Sequence, residues 1–127
     1  MAAPLTIKPR VEDGIAILEL SGTLTLGPSL VGLRNNARQI LGKNVQGLIV
    51  ELAAVRQMDS SGLSELTVVY TLAMLKRCPL RLVNANADLC KILAVTRLDG
   101  LLPVAADIDS AKAEIRQKRT KPASSPG

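Results

Sequence analysis

The chain has 127 residues, 47% apolar and 21% charged, with a formal net charge of +5 from 16 basic and 11 acidic side chains. That is the size and composition of one globular domain, able to bury roughly two-thirds of its unfolded surface without disulfide or metal staples. Histidine, phenylalanine and tryptophan are absent and Tyr70 is the sole aromatic, which excludes histidine-based nucleophilic catalysis, imidazole-ligated zinc and base-stacking recognition of single-stranded nucleic acid.

In chain order, residues 5–8 read as a short strand that Pro9 ends or pins to a sheet edge. Asp13-Gly14 marks a turn into a stronger strand over 15–20, so the two runs form an antiparallel hairpin. Gly27-Pro28 opens an amphipathic helix over 28–42: Leu30, Leu33, Ala37, Ile40 and Leu41 recur at spacings of three and four, with Arg34, Asn35, Arg38 and Gln39 on the other face. Residues 48–52 are nearly continuous apolar and suit a central parallel strand. After Asp59-Ser60-Ser61-Gly62, helical spacing returns from Leu63 to about Arg77. A strand over 80–84, a short helix around Leu89, Ile92 and Leu93, a strand over 101–105 and a terminal helix from Asp109 or Ser110 to about Lys118 complete the pattern.

This order predicts an α/β domain over residues 1–118, with a mixed, mostly parallel sheet of four or five strands, an N-terminal antiparallel hairpin and about four flanking helices. Residues 119–127 hold basic side chains, prolines and serines and are expected to form a disordered tail. Arg116, Lys118, Arg119 and Lys121 concentrate the basic excess toward the C-terminus, and such runs are most often solvated ends. Cys78 and Cys90 match no metal or redox spacing and read as ordinary buried thiols of a reducing compartment. The N-terminal residues lack signal-peptide character and no apolar run is long enough to span a membrane, so the expectation is a soluble, cytoplasmic protein.

Ligand and partner sites in open α/β sheets lie past the carboxyl ends of parallel strands, which points to Met58-Asp59-Ser60-Ser61-Gly62-Leu63. Asp59 or Ser60 can cap the helix. Ser61 then falls in the first turn, where unpaired N–H groups and the positive end of the helix dipole favour an added negative charge. Gly62 leaves the backbone open to close approach by another molecule. By residue type alone, the segment reads as a plain helix cap with a small-residue turn.

Its surroundings add to that reading. Asp59-Ser60-Ser61-Gly62-Leu63 resembles the phosphorylation motif of the STAS domain, the sulfate transporter and anti-sigma-factor antagonist family. Ile17-Leu18-Glu19-Leu20-Ser21-Gly22-Thr23-Leu24, Leu48-Ile49-Val50-Glu51-Leu52-Ala53-Ala54-Val55 and Leu98-Asp99-Gly100-Leu101-Leu102-Pro103-Val104 are similar to the family's second strand, its strand leading into the motif and its late leucine-glycine segment. The resemblance spans about residues 5–117. It implies an anti-sigma factor antagonist. The unmodified form binds an anti-sigma factor that is also a serine kinase and so frees a sigma factor. ATP-dependent phosphorylation dissociates the complex, and a serine phosphatase resets it. Ser61 is the implied phosphoacceptor, with Asp59, Ser60, Gly62 and Leu63 as motif neighbours. Two departures stand out: Glu51, where many relatives carry aspartate, and Ser64-Glu65, where small residues are common.

An alternative within the same family is a subunit of a phospholipid-handling ABC transporter, although such relatives generally carry threonine or another residue at the switch position. An enzyme is not expected, since there is no P-loop pattern, no paired carboxylates and no general base near Ser61 in sequence. No cofactor, metal or direct nucleic-acid partner is implied, and no membrane insertion.

Overall fold

A computed structural model describes residues 4–95 and 102–120. Strand β1 (Thr6–Glu12) and strand β2 (Ile15–Leu24) form the expected hairpin. Asp13 and Gly14 take positive φ angles of 56° and 76°, the arrangement a two-residue hairpin turn requires at both central positions. Pro9 does not end β1. It pairs with Leu18 inside the strand, and β1 is an edge strand, the position where a sheet tolerates proline.

Pro28–Leu30 forms one 3-10 turn and helix α1 follows over Val31–Leu41. Strand β3 (Leu48–Met58) leads into helix α2 (Ser60–Leu75). Strand β4 (Leu80–Val83), helix α3 (Ala87–Val95), strand β5 (Val104–Ala105) and helix α4 (Ile108–Thr120) complete the described chain. The expected strand over 48–52 thus continues six residues further, to Met58, and α4 runs to Thr120, two residues past its expected end. Residues 121–127 of the expected tail, and 98–101 of the late leucine-glycine segment, lie outside the described residues.

The five strands lie side by side in sequence order, β1 antiparallel to β2 and every later pair parallel. Parallel crossovers share one hand, so connections that always step the same way put α1, α2 and α3 on one face. The main core follows from this: Ala16, Leu18 and Leu20 of β2 and Leu48, Val50 and Leu52 of β3 meet Leu33 and Ala37 of α1, Leu66 and Val69 of α2, and Leu89 and Leu93 of α3. Alternation sends Ile15 and Ile17 to the opposite face, where they join Ile49, Val83 and Ala105 beneath Ala111 and Ile115 of α4. A one-residue slip of β2 would exchange these two sets, so burial on both faces pins its register. Two register shifts, after Glu19 and after Gly22, each set one extra residue of β3 against β2, so the carboxyl half of β3 is the bulged strand. Pairing nevertheless runs through to Leu24 opposite Met58, which sets the end of β2 beside the start of α2.

Candidate functional site at the start of helix α2

Asp59 closes β3 in an extended conformation and caps α2, its Oδ1 accepting the Gly62 amide at 2.9 Å. Of the two expected caps, Asp59 takes the role and Ser60 becomes the first helical residue. The second carboxylate oxygen, Oδ2, accepts the Leu26 amide at 3.0 Å. The Asp59 amide in turn donates to the Leu24 carbonyl at 3.1 Å. One residue therefore fastens the start of α2 to the loop between β2 and α1. Donation first from Leu26 and then from Gly62 holds the Asp59 carboxyl below the usual aspartate range.

Gly62 has a different role from the one its sequence context suggests. It is buried, and a β-carbon on it would lie 1.9 Å from the Leu24 carbonyl oxygen and 2.6 Å from the Leu24 carbonyl carbon. The close approach that requires glycine is made by this protein's own β2, not by a second molecule. Leu63 is likewise turned inward, 4% exposed within the main core. Ser60 is exposed and Ser61 half-buried, so Ser61 sits at the rim of a surface depression rather than fully in solvent.

That depression has a volume of about 300 Å³ and is lined by Leu26, Gly27, Leu30, Val31, Ser61, Ser64 and Glu65. Leu26 and Val31 are 79% and 57% exposed, a large apolar exposure on the two segments flanking Ser61. On the far side Glu65 is buried, its carboxylate gripped by Arg34 of α1 through Nε at 2.9 Å and through Nη2. The carboxylate raises the Arg34 pKa by accepting these hydrogen bonds. This pair accounts for the unusual Glu65: it is an interhelical tie between α1 and α2. Sequence alone placed Arg34 on a solvent face beside Arg38, with nothing to choose which arginine meets an acid 31 positions away.

Glu51, the other departure, is also buried, and its Oε2 accepts the Ala53 amide at 3.1 Å and Asn84 Nδ2 at 2.8 Å. These bonds tie β3 to the end of β4 and involve none of the motif residues. Cys78 is buried and Cys90 is exposed, which corrects the expectation that both thiols are buried. Among the described residues no group of three or more histidine, cysteine or acidic side chains is placed to hold a metal ion. No described helix is long and apolar enough to cross a membrane.

The family model for the STAS domain matches residues 6–111, which spans the sheet, the three helices on its main face and the start of α4. The chain belongs to the STAS domain family. Its fold is similar to the crystal structure of an anti-sigma factor antagonist from Mycobacterium paratuberculosis, with a TM-score of 0.77 and 21% identity, covering 91% of this chain and 99% of that one. It is also similar to the anti-sigma factor antagonist SpoIIAA in its unphosphorylated form, with a TM-score of 0.65 and 15% identity, covering 91% and 99%. A sulfate transporter family protein from Wolinella succinogenes matches with a TM-score of 0.68 and 19% identity, covering 85% and 89%. No curated protein sequence gives a significant match. The STAS fold thus serves both signalling and transport proteins among these neighbours, and the chemistry of the α2 start has to distinguish them.

Proposed function

We propose that this STAS domain is an anti-sigma factor antagonist switched by phosphorylation of Ser61. The observation that carries the reading is the half-buried Ser61 hydroxyl at the rim of a depression flanked by exposed Leu26 and Val31. The partner is an anti-sigma factor with serine kinase activity, and its capture releases a sigma factor. The domain acts as the kinase's substrate and ligand, not as an enzyme. The kinase transfers the γ-phosphoryl group of ATP: the Ser61 Oγ–phosphorus bond forms, the bond to the ADP oxygen breaks, and the hydroxyl proton is released. A serine phosphatase hydrolyses the product and restores the hydroxyl. All of this takes place in the cytoplasm.

The switch follows from where the added charge sits. A phosphoserine carries about −1.5 to −2 charges. Facing water at a helix N-terminus, that charge meets a favourable dipole, so the fold tolerates it. Packed against a partner that fitted a neutral hydroxyl, it must be desolvated next to the Asp59 carboxylate, which costs several kcal/mol. Each 1.4 kcal/mol weakens binding about tenfold. The same modification therefore spares the domain and disrupts the complex.

The deciding experiment is affinity capture from native lysate with wild type and Ser61→Asp, identifying what each retains. Retention of an ATP-binding serine kinase by wild type alone supports the reading. Equal retention of transporter components by both variants overturns it in favour of a transport-subunit role.

A further inference from the structure

The pair between Arg34 on α1 and Glu65 on α2 lies one helical turn from Ser61. Resting on the switch reading above, we infer that Arg34 is the residue that receives the Ser61 phosphate, turning from Glu65 to bridge α1 and α2 across the depression between them. Residues four apart on a helix have β-carbons about 5–6 Å from one another, so a guanidinium clasped to Glu65 is held within reach of a group on Ser61. The two hydrogen bonds to Glu65 use two of the five donors that a guanidinium carries.

Charge and exposure both favour the exchange. The Arg34 side chain is 37% exposed while that of Glu65 is 12% exposed, so the arginine is the partner with room to swing. A phosphate offers three acceptor oxygens and nearly twice the charge of a carboxylate, in a geometry that the planar arginine fork matches bidentately. In the unmodified protein Glu65 acts as a positioning residue that parks the cation beside the acceptor serine.

The consequence reaches beyond the charge on Ser61. With Arg34 drawn toward the phosphate, a charged bridge spans the depression that Leu26, Leu30 and Val31 line, and the apolar ground on which a partner would seat is covered. Phosphorylation then acts on the surface of α1 as well as on the start of α2.

The test is a phosphorus NMR titration of the full chain carrying phosphoserine at position 61 by directed incorporation, in wild type, Glu65→Gln and Arg34→Gln/Glu65→Gln. The doubly substituted protein keeps a neutral hydrogen-bonding pair and leaves no orphaned buried charge, so its fold is preserved. A neighbouring cation favours the dianion; the midpoint of the second ionisation is expected to lie about 0.5 pH unit or more lower in Glu65→Gln than in the double variant, with wild type also below the double variant. Equal midpoints in Glu65→Gln and the double variant overturn the inference, because Arg34 then does not reach the phosphate. A wild-type midpoint at or above that of the double variant overturns it as well, because Arg34 then stays with Glu65. The titration is read on the isolated protein and is blind to partner binding, so it fails separately from the capture experiment.

Discussion

The carboxylate of Asp59 accepts the backbone N–H of Leu26 at 3.0 Å, joining residues 33 positions apart in sequence. With its other oxygen on the Gly62 amide, Asp59 spans the β2–α1 loop and the first turn of α2 at once. The aspartate of the motif is therefore an architectural residue. It places exposed Leu26 beside Ser61 and makes one continuous surface from segments that the chain separates.

Replacing Asp59 with alanine is expected to destabilise the domain by about 0.5–2 kcal/mol, the usual cost of a lost helix cap. The Leu26 bond adds little to that sum because it is exposed and water replaces it. Its loss is instead expected to appear as faster hydrogen exchange at the Leu26 amide. The folded-state pKa of Asp59 is lowered, by Leu26 first and Gly62 second. The contribution is therefore fully present above the unfolded aspartate value of about 3.9 and lost as pH falls through the lower folded value. Urea melts of wild type and Asp59→Ala at neutral pH and at pH 3 check this, and a gap that fails to narrow in acid would contradict it.

Gly62→Ala is expected to be far more damaging than its small size suggests. The new methyl would sit 1.9 Å from the Leu24 carbonyl oxygen, so α2 must move away from β2. Overpacking of this kind typically costs about 1–3 kcal/mol and occasionally more. Displacement of α2 also breaks the Asp59–Leu26 contact, so partner capture falls along with the melting temperature. A melting temperature equal to that of wild type would show that β2 yields instead.

Much of this architecture is legible in the chain itself. The alternation of Ile15 and Ile17 against Ala16, Leu18 and Leu20 specifies a strand covered on both faces, and Asp13-Gly14 names its turn. A cap at Asp59 or Ser60 follows from their place before a helical run, and the structure settles it as Asp59. What cannot be read is any relationship that depends on the third dimension. The pairing that sets Leu24 beside the start of α2 passes through two register shifts with the extra residues in β3, and no local pattern announces them. Pairing Arg34 with Glu65 requires knowing how α1 and α2 face each other across the sheet. The full length of β3 is not legible because residues 53–57 are mostly exposed and lack the apolar signal of its buried first half.

Substitutions at Ser61 are expected to separate folding from binding. Ser61→Ala removes one half-buried hydroxyl that neither caps α2 nor enters the core, so its stability is expected to stay within about 0.5 kcal/mol of wild type and its partner binding to become constitutive. Ser61→Asp places a single negative charge at a helix start that favours it, so its melting temperature changes little while partner affinity falls at least tenfold. Thermal melts and binding isotherms on both variants provide the check. Unfolding of Ser61→Ala would make the serine a structural cap, and equal affinities would remove the charge-in-interface mechanism.

Helix α4 is held to the back of the sheet by a small apolar patch, by Arg81 of β4 donating to Glu114 at 2.8 Å, and by a cluster of charges at the hairpin turn. Lys112 Nζ donates to Glu12 Oε1 at 2.9 Å and to Asp13 Oδ2 at 3.2 Å, and Arg116 lies 3.5 Å from Asp13. The Glu12 carboxyl is lowered by Lys112 first and Arg10 second, and the Lys112 amine is raised, chiefly by Glu12. The Glu12 contribution is thus present above the ordinary glutamate range and lost as pH falls, whereas the Lys112 contribution is present below the ordinary lysine value and lost as pH rises past its raised folded value. Docking of α4 is therefore strongest between about pH 5 and pH 10. Amide protection factors in α4 are expected to fall from pH 7 to pH 3, and to fall less in Lys112→Gln because the substituted protein has already lost the pairing. Equal acid sensitivity in the two proteins would show that the Lys112 cluster does not carry the pH dependence of α4 docking. Ile115 is fully buried in that patch, and Ile115→Ala, at a cost of about 2–5 kcal/mol, is expected to loosen α4 at every pH. The contrast between a pH-dependent and a pH-independent loss tells the Lys112 cluster apart from the apolar patch.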